Sequence, residues 1–251
     1  MPATSKRNLQ VRIEPPVAYL RLQRPQAGNR IDERLAQQLC DAASDIEHDD
    51  RVALVVVEAT GDSFCLGVEG GGAWQLSCDF VDAIGQLTRP VIAAVRGDAI
   101  AEGFELALAC DLRVFSDKAR CGLPQLATGY LPRHGGTQRL PRIIGRGRAL
   151  GLLLTGRLLP AAEAERMGIA CRIFPKRKFD ASLAQIVADL AAKGPVALRY
   201  AKEAILKGTD LTFDQGMRLE EDLYVLLQTT EDRAEGVDAF LKKRKPRYRG
   251  K

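Results

Sequence analysis

The sequence predicts an α/β protein in which strands and helices alternate over the first half and helices dominate the second. Two apolar runs carry this reading. Val52–Ala59 (VALVVVEA) and Val91–Val95 (VIAAV) are continuous and rich in β-branched residues, as expected of strands buried on both faces of a parallel sheet. The third observation is a change of character after Gln138. From there amphipathic segments punctuated by Gly and Pro take over, and only Ala170–Phe174 reads as a strand.

The elements follow in order. Leu9–Ile13 and Val17–Leu22 alternate apolar and polar residues around Pro15-Pro16, a hairpin-like pair of strands. Asn29–His48 is mostly helical, with Asp32 as N-cap, Glu33 in the first turn, and Leu35, Leu39, Ala42, Ala43 and Ile46 at helical spacing. Gly61–Gly72 is a glycine-rich loop, and Phe80–Leu87 a short helix. Gly103–Ala109 is helical and Leu112–Phe115 is a third buried strand. Such alternation implies right-handed crossovers. Helices are then expected at Ile143–Thr155, Ala161–Met167, Leu183–Ala192, Val196–Lys207, Phe213–Gln228 and Arg233–Leu241.

Composition narrows the function classes. The 251 residues suit one sizeable domain, or one with a small helical extension, and 46% hydrophobic against 27% charged residues permits a full core. No apolar run approaches a membrane span, and MPATSKRNLQ lacks the apolar stretch of a signal peptide, so a cytoplasmic protein without membrane association is expected. The six cysteines form no CxxC pair or zinc spacing and are read as free thiols in a reducing compartment. With only His48 and His134 present, a histidine-built metal site is not expected. The net charge of +5, concentrated in KKRKPRYRGK, suits a polyanionic small ligand at least as well as nucleic acid.

Three segments carry groups suited to chemistry. Phe64–Gly70 follows a buried strand, where α/β folds bind ligands, and Gly67 and Gly70–Gly72 allow close backbone approach; the alternative is a surface loop. Gly97–Glu105 turns from strand into helix, and helix-initial N–H groups suit a developing oxyanion. Glu105 there is either a helix-stabilising charge or a catalyst. Cys121–Gln125 and Gly129–Thr137 form a Gly/Pro-fixed turn in which His134 is either an acid/base or a hydrogen-bonded structural residue. No P-loop, dinucleotide fingerprint or G-x-S-x-G occurs.

These segments, in this order, resemble the crotonase family of enoyl-CoA hydratases and isomerases. The matching text is FCLGVE, RPVIAAVRG, EGFELALACDLRVFSDKARCGLPQ, GGTQRLPRIIG, LLLTGRLLPAAEAERMGIACRIFP and TEDRAEGVDAFLKKRKPRYRG. The resemblance implies a spiral of ββα turns over residues 1–190 and a C-terminal helical region, residues 191–251, for trimerisation and active-site cover, in a homotrimer or homohexamer. It implies a coenzyme A thioester as substrate, with no further cofactor, no metal and no nucleic-acid partner. The backbone N–H groups of Val68 and Glu102 would form the oxyanion hole, and Leu66, Val68, Glu69 and Gly70 would line the coenzyme A path. Glu105 matches the first of the family's two hydratase glutamates. The second is matched by Gln125, a carboxamide that orients water but exchanges no proton near neutral pH. Glu102 stands where the family usually has glycine, with only its backbone demanded by that role. Arg133 and His134 replace small residues at the rim, which points to an acyl-pocket role, and the segment between Glu69 and Pro90 is shorter than in typical hydratases.

The expected reaction is hydration or dehydration of an unsaturated acyl-CoA, with Glu105 as single acid/base and Gln125 holding water. The altered rim points to a cyclic, conjugated or carboxylated acyl group. The alternatives are another crotonase reaction (double-bond isomerisation, decarboxylation or thioester hydrolysis) or a non-catalytic coenzyme A- or RNA-binding homologue.

Overall fold

The computed structural model describes residues 8–71 and 76–251. The predicted hairpin forms as β1 (Leu9–Glu14) and β2 (Val17–Leu22), antiparallel with Glu14 opposite Val17. Helix α1 (Glu33–Glu47) starts where Asp32 caps it, its carboxylate accepting from the Leu35 N–H, and buries the expected stripe from Leu35 to Ile46. The chain then makes three ββα turns. In each, a longer strand is followed by a short one and a helix: β3 (Leu54–Ala59), β4 (Ser63–Cys65) and α2 (Phe80–Gly85); β5 (Val91–Val95), β6 (Asp98–Ile100) and α3 (Glu102–Ala109); β7 (Leu112–Ser116), β8 (Arg120–Gly122) and α4 (Gly136–Ile144).

The longer strands build a six-stranded sheet in the order β1-β2-β3-β5-β7-β10, closed by β10 (Arg172–Phe174) parallel to β7. The short strands build a second sheet, β4-β6-β8-β9, whose last member is β9 (Leu159–Pro160), antiparallel to β8. This second sheet is not anticipated from the sequence, because strands of two or three residues are too short to display an alternation. Its position is enforced by glycine. A Cβ on Gly97 would overlap the Asp62 carbonyl, and one on Gly103 would overlap the Cys65 carbonyl.

Both faces of the large sheet are covered, which is why VALVVVEA and VIAAV read as unbroken apolar runs. Val55, Val57, Val91 and Ala93 belong to the main core with α1, α2 and α3. Leu54, Val56 and Ile92 face the opposite way, against Phe179, Leu183 and Val187 of α7 (Phe179–Ala191).

Three expectations need correction. The helix expected over Ile143–Thr155 starts at Arg146, as α5 (Arg146–Thr155), because Gly145 (φ 80°, ψ 155°) leaves helical geometry and Ile143 and Ile144 belong to the end of α4. Helix α7 begins one turn before Leu183, because Phe179 anchors its start in the second core. The cysteines are not all free: Cys40 and Cys78, 38 residues apart, are joined as a disulfide, a pairing that no local spacing signals. Cys65, Cys110 and Cys121 are buried free thiols, each pushed up to about 12 by burial, so they pack as small apolar groups.

After α6 (Ala161–Arg166) and α7 come α8 (Pro195–Gly208), α9 (Phe213–Gln228) and α10 (Glu231–Leu241). Lys202 of α8 docks this region on the core by pairing with Asp111 at 2.8 Å and donating to the Arg89 carbonyl. Among the described residues, no helix is long and apolar enough to cross a membrane.

Candidate active site

The site forms where β4, the start of α3 and the Gly129–Gly136 turn meet. The Phe64–Gly70 segment is ordered by the residues before α1. The Leu66 N–H donates to the Gly28 carbonyl, the Ile31 N–H to Gly67 and the Glu69 N–H to Ile31. Asn29 makes this seam. It is fully buried at φ 53°, its side-chain amide donates to the Thr60 and Ser63 carbonyls, and its oxygen accepts from the Arg24 N–H. Asn tolerates that left-handed backbone better than most residues. The sequence reading placed Asn29 at the head of a mostly helical segment, whereas the helix starts at Glu33 and Asn29 forms this seam instead.

The second wall is the β6–α3 turn. Ala101 sits at φ 52°, ψ −124°, a region that disfavours side chains, and its carbonyl accepts from the Phe104 and Glu105 N–H groups to start α3. Glu102 is the first helical residue, so helix geometry gives its N–H no acceptor within α3. The Glu102 side chain, which the expected role leaves free, makes a contact of its own. Its Oε2 accepts from the Val68 N–H at 2.9 Å.

Glu105 is fully buried. Its Oε1 accepts from two backbone N–H groups, His134 and Gly136, each at 2.8 Å. Its Oε2 accepts from Gln125 Nε2 at 3.3 Å. Burial raises this carboxyl to about 7 even though the two N–H groups pull it down, and the nearby charges of Glu102 and Asp79 add to the rise. A helix-stabilising surface charge would not be so placed. Gln125 is buried too, and its Oε1 has no hydrogen-bond partner among the described residues. Such an acceptor is unusual in a folded interior and marks a place for a donor.

A cavity of about 420 Å³ reaches Gln125, with Glu105 one hydrogen bond behind it, and is lined in part by Arg30, Leu66, Val68, Glu102 and Arg133. Arg30 also donates to the Leu66 carbonyl at 2.7 Å. Glu69 pairs with Arg24 at 2.6 Å, and Gly70 takes φ 75° in the short helical turn Glu69–Gly71. Gly72, part of the expected glycine run, lies outside the described residues. Arg133 and His134 part company. Arg133 lines the cavity, whereas the buried His134 ring rests 5.2 Å from the Phe80 ring, with Nδ1 2.9 Å from Asp79 Oδ1. Asp79 in turn caps α2. His134 therefore reaches the reactive centre through its backbone N–H, not its ring.

Comparison with known proteins agrees with this fold. A family model described as enoyl-CoA hydratase/isomerase matches residues 12–251. The crotonyl-CoA hydratase of Syntrophomonas wolfei is 34% identical, the match covering 96% of this chain and 97% of that one. The 2,3-dehydroadipyl-CoA hydratase of Escherichia coli is also 34% identical, over 94% of this chain and 96% of its own length. The crystal structure of an enoyl-CoA hydratase from Bacillus anthracis superposes with a TM-score of 0.92 at 33% identity, covering 97% of this chain and all of the other.

Proposed function

The chain belongs to the enoyl-CoA hydratase/isomerase family and is a hydratase-like enzyme, and we propose that it adds water to, or removes it from, an unsaturated acyl-CoA with Glu105 as its single acid/base. In this reading the thioester oxygen lies against the N–H groups of Val68 and Glu102. As water adds to the β-carbon, the ionised Glu105 takes one of its protons, and the π electrons move onto the thioester oxygen as an enolate. The enolate collapses by taking that proton from Glu105 at the α-carbon, which returns the carboxylate to its starting form. Gln125 orients the water through Oε1 and moves no proton.

The observation that carries this reading is the setting of Glu105. One oxygen is fixed by two backbone donors. The other faces an amide with a buried, unsatisfied acceptor. A carboxyl near 7 is matched to taking and returning a proton at neutral pH. Leu66, Val68, Glu69 and Gly70 border the coenzyme A path, and no cofactor beyond the thioester substrate is proposed. Arg133 on the cavity wall, together with the likeness to a hydratase named for 2,3-dehydroadipyl-CoA, favours an acyl chain ending in a polar or carboxylate group. We further propose a homotrimer or homohexamer joined through the C-terminal helices, supported by the exposure of Phe213, Phe240 and Leu241.

The test is a panel of straight-chain, conjugated and dicarboxylic enoyl-CoAs followed by mass spectrometry. A gain of one water is expected, greatest for a carboxylated chain. Loss of carbon dioxide, release of free coenzyme A, or unchanged mass with a shifted absorbance spectrum would replace the hydratase reading.

A further inference from the structure

The oxyanion hole of this protein holds a ligand of its own. The Val68 N–H, one of the two donors assigned above to the thioester oxygen, already donates to Glu102 Oε2 at 2.9 Å. Its neighbour Gly67 makes the fit possible. At φ 95° it carries no side chain, and a Cβ there would come within 2.7 Å of the same Oε2 and 3.2 Å of the Ala101 Cβ. The residue that supplies the second N–H of the hole therefore bends its own carboxylate back onto the first.

We infer that Glu102 determines how well this site distinguishes a thioester from coenzyme A alone, because its carboxylate occupies the oxyanion position and the substrate carbonyl must displace it. The inference rests on the acyl-CoA reading above. One N–H has one proton, so it serves either the carboxylate or the thioester oxygen at full strength. The two are also alike in charge once the enolate forms, so a carboxylate left in place would oppose the intermediate. The carboxylate has somewhere to go: the same cavity is walled by Arg30, Arg133 and the Gln125 amide. Displacement exchanges the charge-assisted bond from Val68 to the carboxylate for a neutral one to the thioester carbonyl, so the thioester gains less from the Val68 N–H than it would if that group were free. Coenzyme A itself has no carbonyl at that position and does not contest the Val68 N–H. Glu102 is thus a specificity-determining residue that weakens thioester binding selectively.

The experiment measures dissociation constants by titration calorimetry for wild type, Glu102→Gln and Glu102→Gly, with coenzyme A and with butyryl-CoA, a saturated thioester that cannot be hydrated. Glu102→Gly is expected to bind butyryl-CoA about tenfold tighter than wild type while its affinity for coenzyme A stays within about twofold. Glu102→Gln keeps the shape but not the charge and is expected to fall between the two. If the glycine variant does not fold, the glutamine variant alone decides, through a severalfold gain for butyryl-CoA only. Unchanged or weaker butyryl-CoA binding would overturn the inference, as would equal shifts for both ligands. Binding of neither ligand by any of the proteins would overturn the acyl-CoA reading itself and the inference with it.

Discussion

Helices α1 and α9 are similar in length and both amphipathic, yet they end up in opposite circumstances. Helix α1, in the spiral core, buries Leu35, Ala36, Leu39, Ala42, Ala43 and Ile46 along one stripe. Helix α9 buries Leu223 and leaves Phe213, Met217, Tyr224, Val225 and Leu226 exposed. Helix α10 repeats the pattern, with Phe240 82% exposed. The large sheet and α1 bury their apolar residues within one chain, while the helical end leaves most of its large apolar side chains exposed, the observation behind the proposed assembly. Hydrophobic periodicity reports only that a face is to be covered. Whether the cover comes from the same chain is a matter of tertiary structure.

Three changes would break or sharpen that contrast. The largest effect is expected at Gly103, where α3 meets β4 without room for a side chain. Gly103→Val should destabilise the fold by about 4 kcal/mol, because the clash is with the backbone of Cys65 rather than with a side chain able to turn away. Urea denaturation measures it, and a loss below about 1 kcal/mol would show the core to be looser than described.

Next comes Glu105→Gln. The raised carboxyl means that the folded protein binds a proton more tightly than the unfolded chain does. Its stabilising effect is therefore full below the ordinary value of 4.5 and lost as pH rises through about 7. The glutamine variant removes this dependence, keeps an acceptor for the His134 and Gly136 N–H groups, and should be the more stable protein at pH 8 by up to about 3 kcal/mol. It should also lose at least about 100-fold in turnover. Parallel stability profiles at pH 5 and pH 8, or activity within tenfold of wild type, would contradict the role given to Glu105.

The smallest effect on the fold is expected from Phe240→Asp. The monomer's stability should change by no more than about 0.5 kcal/mol, because the side chain is exposed. The proposed assembly should dissociate, with the light-scattering mass falling from that of wild type to that of a single chain. An unchanged mass would place the interface elsewhere.

Much of the fold was legible because the core strands are apolar on both faces and α1 carries its cap and stripe in plain sequence. The site was legible in part. Glu105 and Gln125 were found by position, and their buried meeting supplies the physics behind that position. What stayed hidden involves groups far apart in the chain: the reach of the Glu102 side chain to Val68, the Cys40–Cys78 pair, the seam made by Asn29, and the ring of His134 held by Asp79. Periodicity and local turn chemistry carry no information at those separations.

The grip on Glu105 has a consequence for how such a site can change. The carboxyl is held by peptide N–H groups of residues 134 and 136, so the side chain at position 134 is not needed to hold it, and neither is that of its neighbour at 133. A turn of this kind lets the residues bordering the acyl group be exchanged while the proton-handling group keeps its place. Substrate choice and acid–base chemistry then become separable variables: Arg133, on the cavity wall, is a setting of the first that leaves the second untouched, while the His134 ring, held against Phe80 and Asp79, belongs to the frame.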